Sequence, residues 1–323
     1  KGVEIDLTDI PLDDPKTFEL LARGQTKGLF QLSGEGMTKY LVELKPTSIF
    51  DLAAMLALYR PGPMESIPEF IARKHDPSKI TYLDERLKEI LDQSYGIITY
   101  QDDVMLIAIK LAGYDWGEAD KFRKAMGKKI PEEMAAQEGH FKEGCIAGGM
   151  SQKNTDALWE LIKPFASYGF NKAHAASYSL VAYQTAYLKA NFPAEYMTAL
   201  LSIESGDEDK VSQAVLEAGK MGISVLPPDI NSSRKDFTYI SDNEIRFGLL
   251  AIKNLGEDII VTIINEREEN GSFKSLEDLL NRVDSRNLNK KSLEALAKAG
   301  ALDSLAERNA VVENIDLILS YIK

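Results

Sequence analysis

The sequence predicts a mainly α-helical fold with one small β-hairpin element, and three observations support this prediction. Runs rich in alanine and leucine recur along the chain, and each ends at a glycine or a proline. Proline, serine and carboxylate residues stand where several of these helices would begin. Only a stretch after residue 222 is instead rich in β-branched and aromatic residues.

Composition limits the possible functions. The chain has 323 residues, enough for two domains or more, and 44% of them are hydrophobic. Lys and Arg number 38 against 50 Asp and Glu, a net charge of −12, which excludes a protein that coats nucleic acid through its overall charge. Any nucleic-acid site must therefore be a local basic patch.

Location follows from three further features. A single cysteine, Cys145, cannot form an internal disulfide, which favours a reducing compartment. No run approaches the roughly 20 apolar residues that a membrane span needs, and the first residues do not resemble a signal peptide. We therefore predict a cytoplasmic protein without membrane contact and, because the chain starts without Met, a piece of a longer protein.

The first two thirds of the chain predict a succession of helices. Residues 50–59 form a helix that stops at Arg60-Pro61-Gly62-Pro63, because prolines and glycine do not continue it. Residues 104–112 form a helix closed by Gly113, and Pro131 begins another in the favoured first turn. Residues 173–191 and 207–220 predict two more helices.

The pattern changes near residue 223. Residues 223–226 are β-like, and residues 237–240 and 244–247 flank a short polar turn as a hairpin. Ser275 begins a helix with a capping signature, and residues 290–299 form a further helix that reaches Gly300.

A basic run lies at residues 121–129. Five of these nine residues are basic and none is acidic, in a chain of net charge −12. At helical spacing Lys121, Lys124 and Lys128 share one face, Arg123 lies beside it, and Gly127 allows a phosphate to come close. The run is suited to a polyphosphate; the alternative is a solvated charged face.

An aromatic and glycine-containing loop at residues 168–173 leads into a helix. His174, Ser177 and Tyr178 follow at i, i+3 and i+4, which places an imidazole, a hydroxyl and a phenol on one face. A nucleobase can stack on such a ring and be held by the polar groups. The alternative is that Tyr178 belongs to the core and that His174 is a buried structural histidine.

Two segments, residues 251–260 and 296–302, each predict a helix, a tight glycine-containing turn and the start of a second helix. Backbone amides of such a helix-hairpin-helix turn can receive a duplex phosphate, a contact that does not read sequence. The competing interpretation is structural helix pairing. The candidate DNA-contacting residues are Lys253, Asn254, Gly256, Lys298 and Gly300.

No complete active site is evident in the sequence. Adjacent pairs such as Asp102-Asp103 diverge by about 100° on a helix and cannot share a cation without a third ligand. Phosphate-loop, nucleophile-elbow and zinc-protease motifs are missing. We therefore predict no catalytic residue and no metal ligand in this chain.

Taken together, these motifs resemble the alpha subunit of bacterial DNA polymerase III, the C-family replicative polymerase. The blocks that occur in the family's order are Gly28-Leu29-Phe30-Gln31-Leu32, Leu58-Tyr59-Arg60-Pro61-Gly62-Pro63, Arg73-Lys74-His75, Tyr95-Gly96-Ile97-Ile98-Thr99-Tyr100-Gln101, Arg123-Lys124-Ala125-Met126-Gly127-Lys128-Lys129, Gly169-Phe170-Asn171-Lys172-Ala173-His174, Leu226-Pro227-Pro228-Asp229-Ile230-Asn231, and Asn289-Lys290-Lys291 through Gly300-Ala301-Leu302-Asp303. The resemblance covers nearly the whole chain.

The resemblance implies a domain organisation and a function. Residues 1–230 would be the fingers domain, residues 231–250 a β-hairpin connector, and residues 251–323 a tandem helix-hairpin-helix region that contacts duplex DNA. The fingers would bind the incoming dNTP and the nascent base pair during template-directed DNA synthesis. The family's two Mg²⁺ ions bind aspartates of the palm, which would lie outside this chain, so the fragment alone is expected to be inactive.

Residue roles carry over by position. Arg123 and Lys124 would hold the triphosphate oxygens, and Lys128 and Lys129 would add positive field. Lys124 stands where the family usually has Arg, and Lys lacks the planar fork of Arg.

The same resemblance implies the groups around the bases. His174 and Tyr178 would line the nascent base pair, with Asn171 and Lys172 at the start of their helix. Arg60 is a weaker candidate for the substrate or template backbone.

Expected partners are primer–template DNA, a dNTP and, through the parent protein, the sliding clamp and other replisome subunits. Two alternatives stay open: a stand-alone, non-catalytic DNA-binding module with a polymerase-like fold, and a helical interaction module whose basic run is only solvated.

Overall fold

The structure is a computed structural model that describes residues 2–128, 131–166, 169–283 and 288–321. Helices dominate these ranges, and a small sheet lies in the second part of the chain, so the predicted mainly α fold is confirmed. By packing, the chain divides into two units, Lys1–Tyr187 and Leu188–Lys323. Packing units are not functional domains, and the predicted domain boundaries stay predictions.

The helices that begin in the first unit are α1 (Pro15–Ala22), α2 (Glu35–Leu44), α3 (Ile49–Leu58), α4 (Ile67–His75), α5 (Lys88–Leu91), α6 (Gln101–Ala112), α7 (Trp116–Lys128), α8 (Pro131–Ala147), α9 (Gln152–Ile162) and α10 (Lys172–Asn191). Single 3₁₀ turns lie at Pro63–Ser66, Pro77–Lys79, Glu85–Leu87, Asp92–Ser94 and Lys163–Ala166.

Local chemistry sets the bounds of α3. Ser48 accepts a hydrogen bond from the amide of Asp51 at 3.3 Å, and the Asp51 carboxylate accepts one from the amide of Ser48 at 3.2 Å, a capping box that begins the helix. The helix ends before the Arg60-Pro61 pair, as predicted.

The core of the first unit contains a cluster of large aromatic rings under α7. Phe122 of α7 packs against Phe141 of α8 and Trp159 of α9, with ring centroids 5.9 Å apart in both pairs. All three side chains are buried. Burial of this face fixes the opposite face of α7 toward solvent.

The further helices of the second unit are α11 (Pro193–Ile203), α12 (Glu208–Lys220), α13 (Glu257–Asn270), α14 (Leu276–Arg282), α15 (Lys290–Lys298), α16 (Arg308–Glu313) and α17 (Ile315–Tyr321). The strands are β1 (Ser224–Leu226), β2 (Thr238–Ser241) and β3 (Glu244–Arg246).

The predicted hairpin is present, and a third strand joins it. Strands β2 and β3 pair antiparallel, with Tyr239 opposite Ile245 and an irregularity before Ser241. Strand β1 pairs parallel with β3, with Val225 opposite Ile245, which gives the order β1-β3-β2. A parallel pair between separated segments has no local sequence signature, so this pairing was not predicted.

One predicted helix is wrong. The segment that precedes the first glycine turn is a single 3₁₀ turn, Leu249–Ala251, and not an α-helix. Gly248, just before it, lies so close to the backbone of Asp236 and Phe237 that no Cβ would fit. Between Gly248 and Asn254 the chain makes only this one helical turn.

Candidate nucleotide and nucleic-acid interface

The outer face of α7 carries the predicted phosphate-binding cations. Asp115 and Glu118 begin this helix with reciprocal hydrogen bonds to each other's backbone amides, at 2.8 and 2.9 Å. Three residues beyond Asp120, Arg123 donates from Nε and Nη2 to Asp120 Oδ1 at 3.1 and 2.7 Å. One residue further along, Lys124 Nζ lies 2.7 Å from Asp120 Oδ2.

Asp120 is thus an acidic partner that the sequence interpretation missed. Hydrogen bonds from Lys124 and then from Arg123 hold the pKa of the Asp120 carboxyl below its usual value, so this group is ionised at neutral pH. Its position is readable from sequence, because i to i+3 and i+4 are neighbours on a helix. Asp120 was not predicted as a partner because it lies just before the basic run at residues 121–129.

The other two cations of the basic run give less information. The backbone of Lys128 forms the last residue of α7, but its side chain is outside the described part of the structure. Lys129 lies outside the described residues. The roles predicted for both stay predictions.

The start of α10 carries a row of rings. The centroids of His174 and Tyr178 lie 3.9 Å apart, and Phe170 lies 5.2 Å from His174. Phe30 extends the row from the other end, 5.2 Å from Tyr178. Tyr178 is half-buried and His174 is exposed, so the alternative of a buried structural histidine is wrong.

Arg60 lies at the Phe170 end of this row of rings. Its guanidinium carbon lies 5.0 Å from the centroid of the Phe170 ring, a cation–π contact. Gly62, with φ of 100°, adopts a left-handed backbone that favours glycine, and it reverses the chain just after Pro61. The Arg-Pro-Gly-Pro loop therefore brings Arg60 to the α10 site, although it is far from that helix in sequence.

Asn171 and Lys172 join the start of α10 to the start of α6. Asn171 Oδ1 accepts a hydrogen bond from the amide of His174 at 2.9 Å and so caps α10. The amide of Lys172 donates to Asp102 Oδ2 at 2.8 Å, and Lys172 Nζ lies 5.5 Å from the centroid of the Tyr100 ring.

Backbone contacts reinforce this junction. The amide of Gln101 donates to the carbonyl of Phe170 at 2.9 Å, and Tyr100 and Phe170 form a parallel bridge. A Cβ at residue 169 would collide with the Gln101 side chain, so this close approach requires Gly169.

Asp103 lies buried beneath the junction. Its Oδ2 accepts hydrogen bonds from the amides of Thr99 and Tyr100 at 3.0 and 2.9 Å. Burial nevertheless raises the pKa of the Asp103 carboxyl to about 6. This aspartate positions the start of α6 and is not itself exposed to a ligand.

An open cavity of about 820 Å³ adjoins Lys172, and sequence analysis did not predict it. Its apolar wall is formed by Ile90, Leu106 and Ile109. The charged residues around it are Lys88, Glu89, Asp92, Lys110 and Lys172.

In the second unit, the first glycine turn lies before α13. Asn254 has φ of 66°, and Gly256 is the N-cap of α13 with open space where a side chain would stand. Lys253 Nζ lies 2.9 Å from Glu208 Oε1 of α12. A cavity of about 540 Å³ separates residues 205–209 from residues 250–255.

The second glycine turn lies after α15. Gly300 has φ of 83°, and a Cβ there would collide with the Arg308 guanidinium. The amide of Ala301 donates to the carbonyl of Leu296 at 2.9 Å, which closes the C-terminus of α15. Lys298 Nζ contacts Glu294 Oε1 at 2.5 Å.

The described residues contain neither a cluster of metal ligands nor a membrane-spanning helix. No three His, Cys, Asp or Glu side chains among them lie close enough to hold a metal ion, so these residues do not fit a two-metal centre. No described helix has the length and apolar character that a membrane span requires.

The elements above define a helical chain with a helix-hairpin-helix region. Residues 1–149 match the family model of the bacterial DNA polymerase III alpha subunit finger domain. Residues 222–311 match a helix-hairpin-helix motif.

Several curated relatives of the chain are DNA polymerase III alpha subunits. The chain is 48% identical over 99% of its length to the DNA polymerase III subunit alpha of Thermus aquaticus, of which it covers 27%. It is 46% identical over 98% of its length to that of Borreliella burgdorferi, covering 28%. The same subunit of Pasteurella multocida is 44% identical over 97% of the chain, again with 28% covered.

These matches confirm the family predicted from the motifs. The chain carries the fingers and helix-hairpin-helix region of the bacterial DNA polymerase III alpha-subunit family. It spans about a quarter of the length of the curated relatives it matches.

Proposed function

We propose that this chain is the part of a replicative DNA polymerase that receives the incoming dNTP and holds duplex DNA. The observation that carries the proposal is the row of rings at the start of α10, in which His174 is exposed and Tyr178 half-buried, next to an arginine. Aromatic side chains and arginine planes are the groups on which nucleobases stack. The family match supports the same reading.

Arg123 and Lys124 bind the triphosphate in this proposal. Both lie on the outer face of α7, and their charged groups converge on one point, the Asp120 carboxylate. Two cations that already converge on an anion suit phosphate oxygens. Lys128 and Lys129 add positive field at the end of the same segment.

His174 and Tyr178 line the nascent base pair. Asn171 acts indirectly, because its side-chain oxygen caps α10 and fixes the direction of the helix. Lys172 belongs to the same base-pair group at the start of α10, and Arg60, which lies over the Phe170 ring, is assigned to the substrate or template backbone.

The hairpins of the second unit contact the duplex backbone. A Cβ at Gly256 would meet open space beside the first turn of α13, and the unpaired amides of a helix N-terminus can donate hydrogen bonds to phosphate oxygens. Lys253, Asn254, Lys298 and Gly300 supply the other turn contacts. Such contacts set position and not sequence preference.

In this proposal, the catalytic metal site and the contacts with other replisome subunits belong to the whole polymerase. Mg²⁺ and its aspartate ligands belong to the palm, and polymerisation requires both, so this chain alone is inactive in the proposal. The sliding clamp and other replisome subunits are partners of the whole protein. The expected location is the cytoplasm.

Crosslinking tests the base-pair assignment. Full-length protein is bound to a primer–template with iododeoxyuridine at the templating position, with and without the matching dNTP, and irradiated. We expect a dNTP-dependent crosslink to the peptide that contains His174 and Tyr178. Crosslinks confined to other peptides would contradict the assignment and favour a DNA-binding module without a nucleotide site.

A further inference from the structure

Asp120 bridges the two cations that the proposed function assigns to the triphosphate. One oxygen accepts two hydrogen bonds from the Arg123 guanidinium, at 3.1 and 2.7 Å, and the other lies 2.7 Å from Lys124 Nζ. Both oxygens of the carboxylate are therefore engaged, each by a different cation. The group occupies the position that phosphate oxygens would take between Arg123 and Lys124.

This bridge is accessible and easily opened. The side chains of Asp120, Arg123 and Lys124 are 38%, 37% and 59% exposed. Ion pairs this exposed contribute little net stability, because water solvates the separated charges well. A ligand with more negative charge than one carboxylate can therefore replace Asp120.

The ion pair of Lys142 and Asp156 in the first unit gives a contrast to the Asp120 bridge. Lys142 lies 2.9 Å from Asp156, an exposed carboxylate on α9, but neither residue belongs to the phosphate-binding face of α7. Asp120 differs because it engages two candidate ligand-binding cations at once.

We propose that Asp120 is an internal competitor for polyphosphate, which selects nucleoside triphosphates against smaller anions. This inference rests on the proposed function of Arg123 and Lys124. While the site is empty, Asp120 keeps both cations converged and partly neutralised. A triphosphate carries several negative charges and displaces the single carboxylate, whereas a lone phosphate gains little by the exchange.

The displaced carboxylate still opposes the ligand. Asp120 is only one helical turn from its partners, so its charge stays near the bound polyphosphate and repels it. Removal of this charge therefore strengthens polyphosphate binding. A residue that only positioned Arg123 and Lys124 would have the opposite effect, since its loss would leave both side chains disordered and weaken binding.

Inhibition of the full-length polymerase by inorganic tripolyphosphate tests the inference. The change is Asp120→Asn, with Asp156→Asn as the matched control, since both remove one exposed carboxylate paired with a lysine. We expect Asp120→Asn to lower the inhibition constant of tripolyphosphate by about fivefold or more, with a steeper dependence on salt. We expect Asp156→Asn to leave it unchanged. Asp120→Glu keeps the charge and is expected to stay near the wild-type value.

Failure of the competitor role and failure of the proposed phosphate site would give different results. Weaker or unchanged inhibition in Asp120→Asn, while Arg123→Ala abolishes inhibition, would overturn the competitor role and leave the phosphate site intact. Full tripolyphosphate inhibition of Arg123→Ala and of Lys124→Ala would overturn the proposed phosphate site itself, and the inference with it.

Discussion

The rings of His174 and Tyr178, one turn apart on α10, lie with their centroids 3.9 Å apart and an interplanar angle of 45°. This pair is at the centre of the row that runs from Phe30 to Phe170. His174 is exposed and Tyr178 is half-buried, whereas Phe170 at one end of the row is buried, so the row is open to solvent mainly at His174.

Loss of the Tyr178 ring is expected to weaken nucleotide use. Tyr178→Ala in the full-length polymerase should raise the KM for dNTP by about fivefold to a hundredfold, since one stacking contact contributes about 1 to 3 kcal/mol. Tyr178→Phe keeps the ring and should stay close to wild type. Leu180→Ala, an exposed change on the same helix, is the control. Equal KM values for all three variants would show that the ring does not contact the substrate.

The buried Asp103 carboxyl makes stability depend on pH. Its pKa is raised to about 6 in the folded state, so between about pH 4 and pH 6 the folded chain holds a proton that the unfolded chain has lost. The contribution of this group to stability therefore falls as pH rises through that window.

Asp103→Asn isolates this effect, because its amide oxygen can still accept from Thr99 and Tyr100. The variant should gain about 1 to 3 kcal/mol relative to wild type between pH 4 and pH 7, measured by urea unfolding. If the two stability curves run parallel over this range, the carboxyl does not titrate as described.

A buried ion pair holds α10 to α12 in the second unit. Lys189 Nζ lies 2.6 Å from Glu217 Oε1, both side chains are buried, and burial lowers the pKa of Lys189. Glu217→Gln removes the carboxylate from a buried ammonium and should lower the free energy of unfolding by about 3 to 5 kcal/mol.

The exposed pair of Lys253 and Glu208 supplies the control. Glu208→Gln should change the free energy of unfolding by less than about 1 kcal/mol, because both partners are solvated. A loss of similar size in the two variants would contradict a special role for the buried pair.

The two hairpin glycines should respond differently to substitution. Gly256 has open space beside it and an ordinary φ of −78°, so Gly256→Val should fold normally but block a duplex phosphate. We expect about tenfold weaker duplex binding, equal for all sequences, by gel shift with the full-length protein. Wild-type affinity would make the hairpin assignment wrong.

Gly300→Ala should act on stability instead. A residue with a Cβ strains the left-handed backbone at φ of 83° and meets Arg308, so we expect a loss of about 1 kcal/mol or more in unfolding free energy. Unfolding as stable as wild type would show that the turn relaxes at no cost.

Local patterns predicted about half of the described helices, since glycine, proline and capping residues act over one turn. Helix α3 ends just before Arg60, and α10 spans Lys172–Asn191 close to the predicted bounds. The helix predicted before Asn254 failed, because the close packing of Gly248 on the backbone near Asp236 is a tertiary contact. The β1 pairing with β3 was missed for the same reason.

In the candidate site too, some features follow from local sequence spacing and others depend on tertiary contacts. The face shared by His174 and Tyr178 follows from helical spacing alone. The contacts of that face with Phe30 and Arg60 do not, since these residues lie more than a hundred positions away in sequence. Asp120 is local to Arg123, and the spacing could have revealed it.

The most direct test of the account is the dNTP dependence of primer extension by the full-length polymerase carrying Arg123→Glu. Lys163→Glu, an equal charge change at an exposed lysine of the same unit, is the control. We expect at least about a tenfold rise in KM for dNTP or a similar fall in turnover, with primer–template affinity within about twofold of wild type. An unchanged nucleotide dependence in Arg123→Glu would contradict the assignment of α7 to the triphosphate.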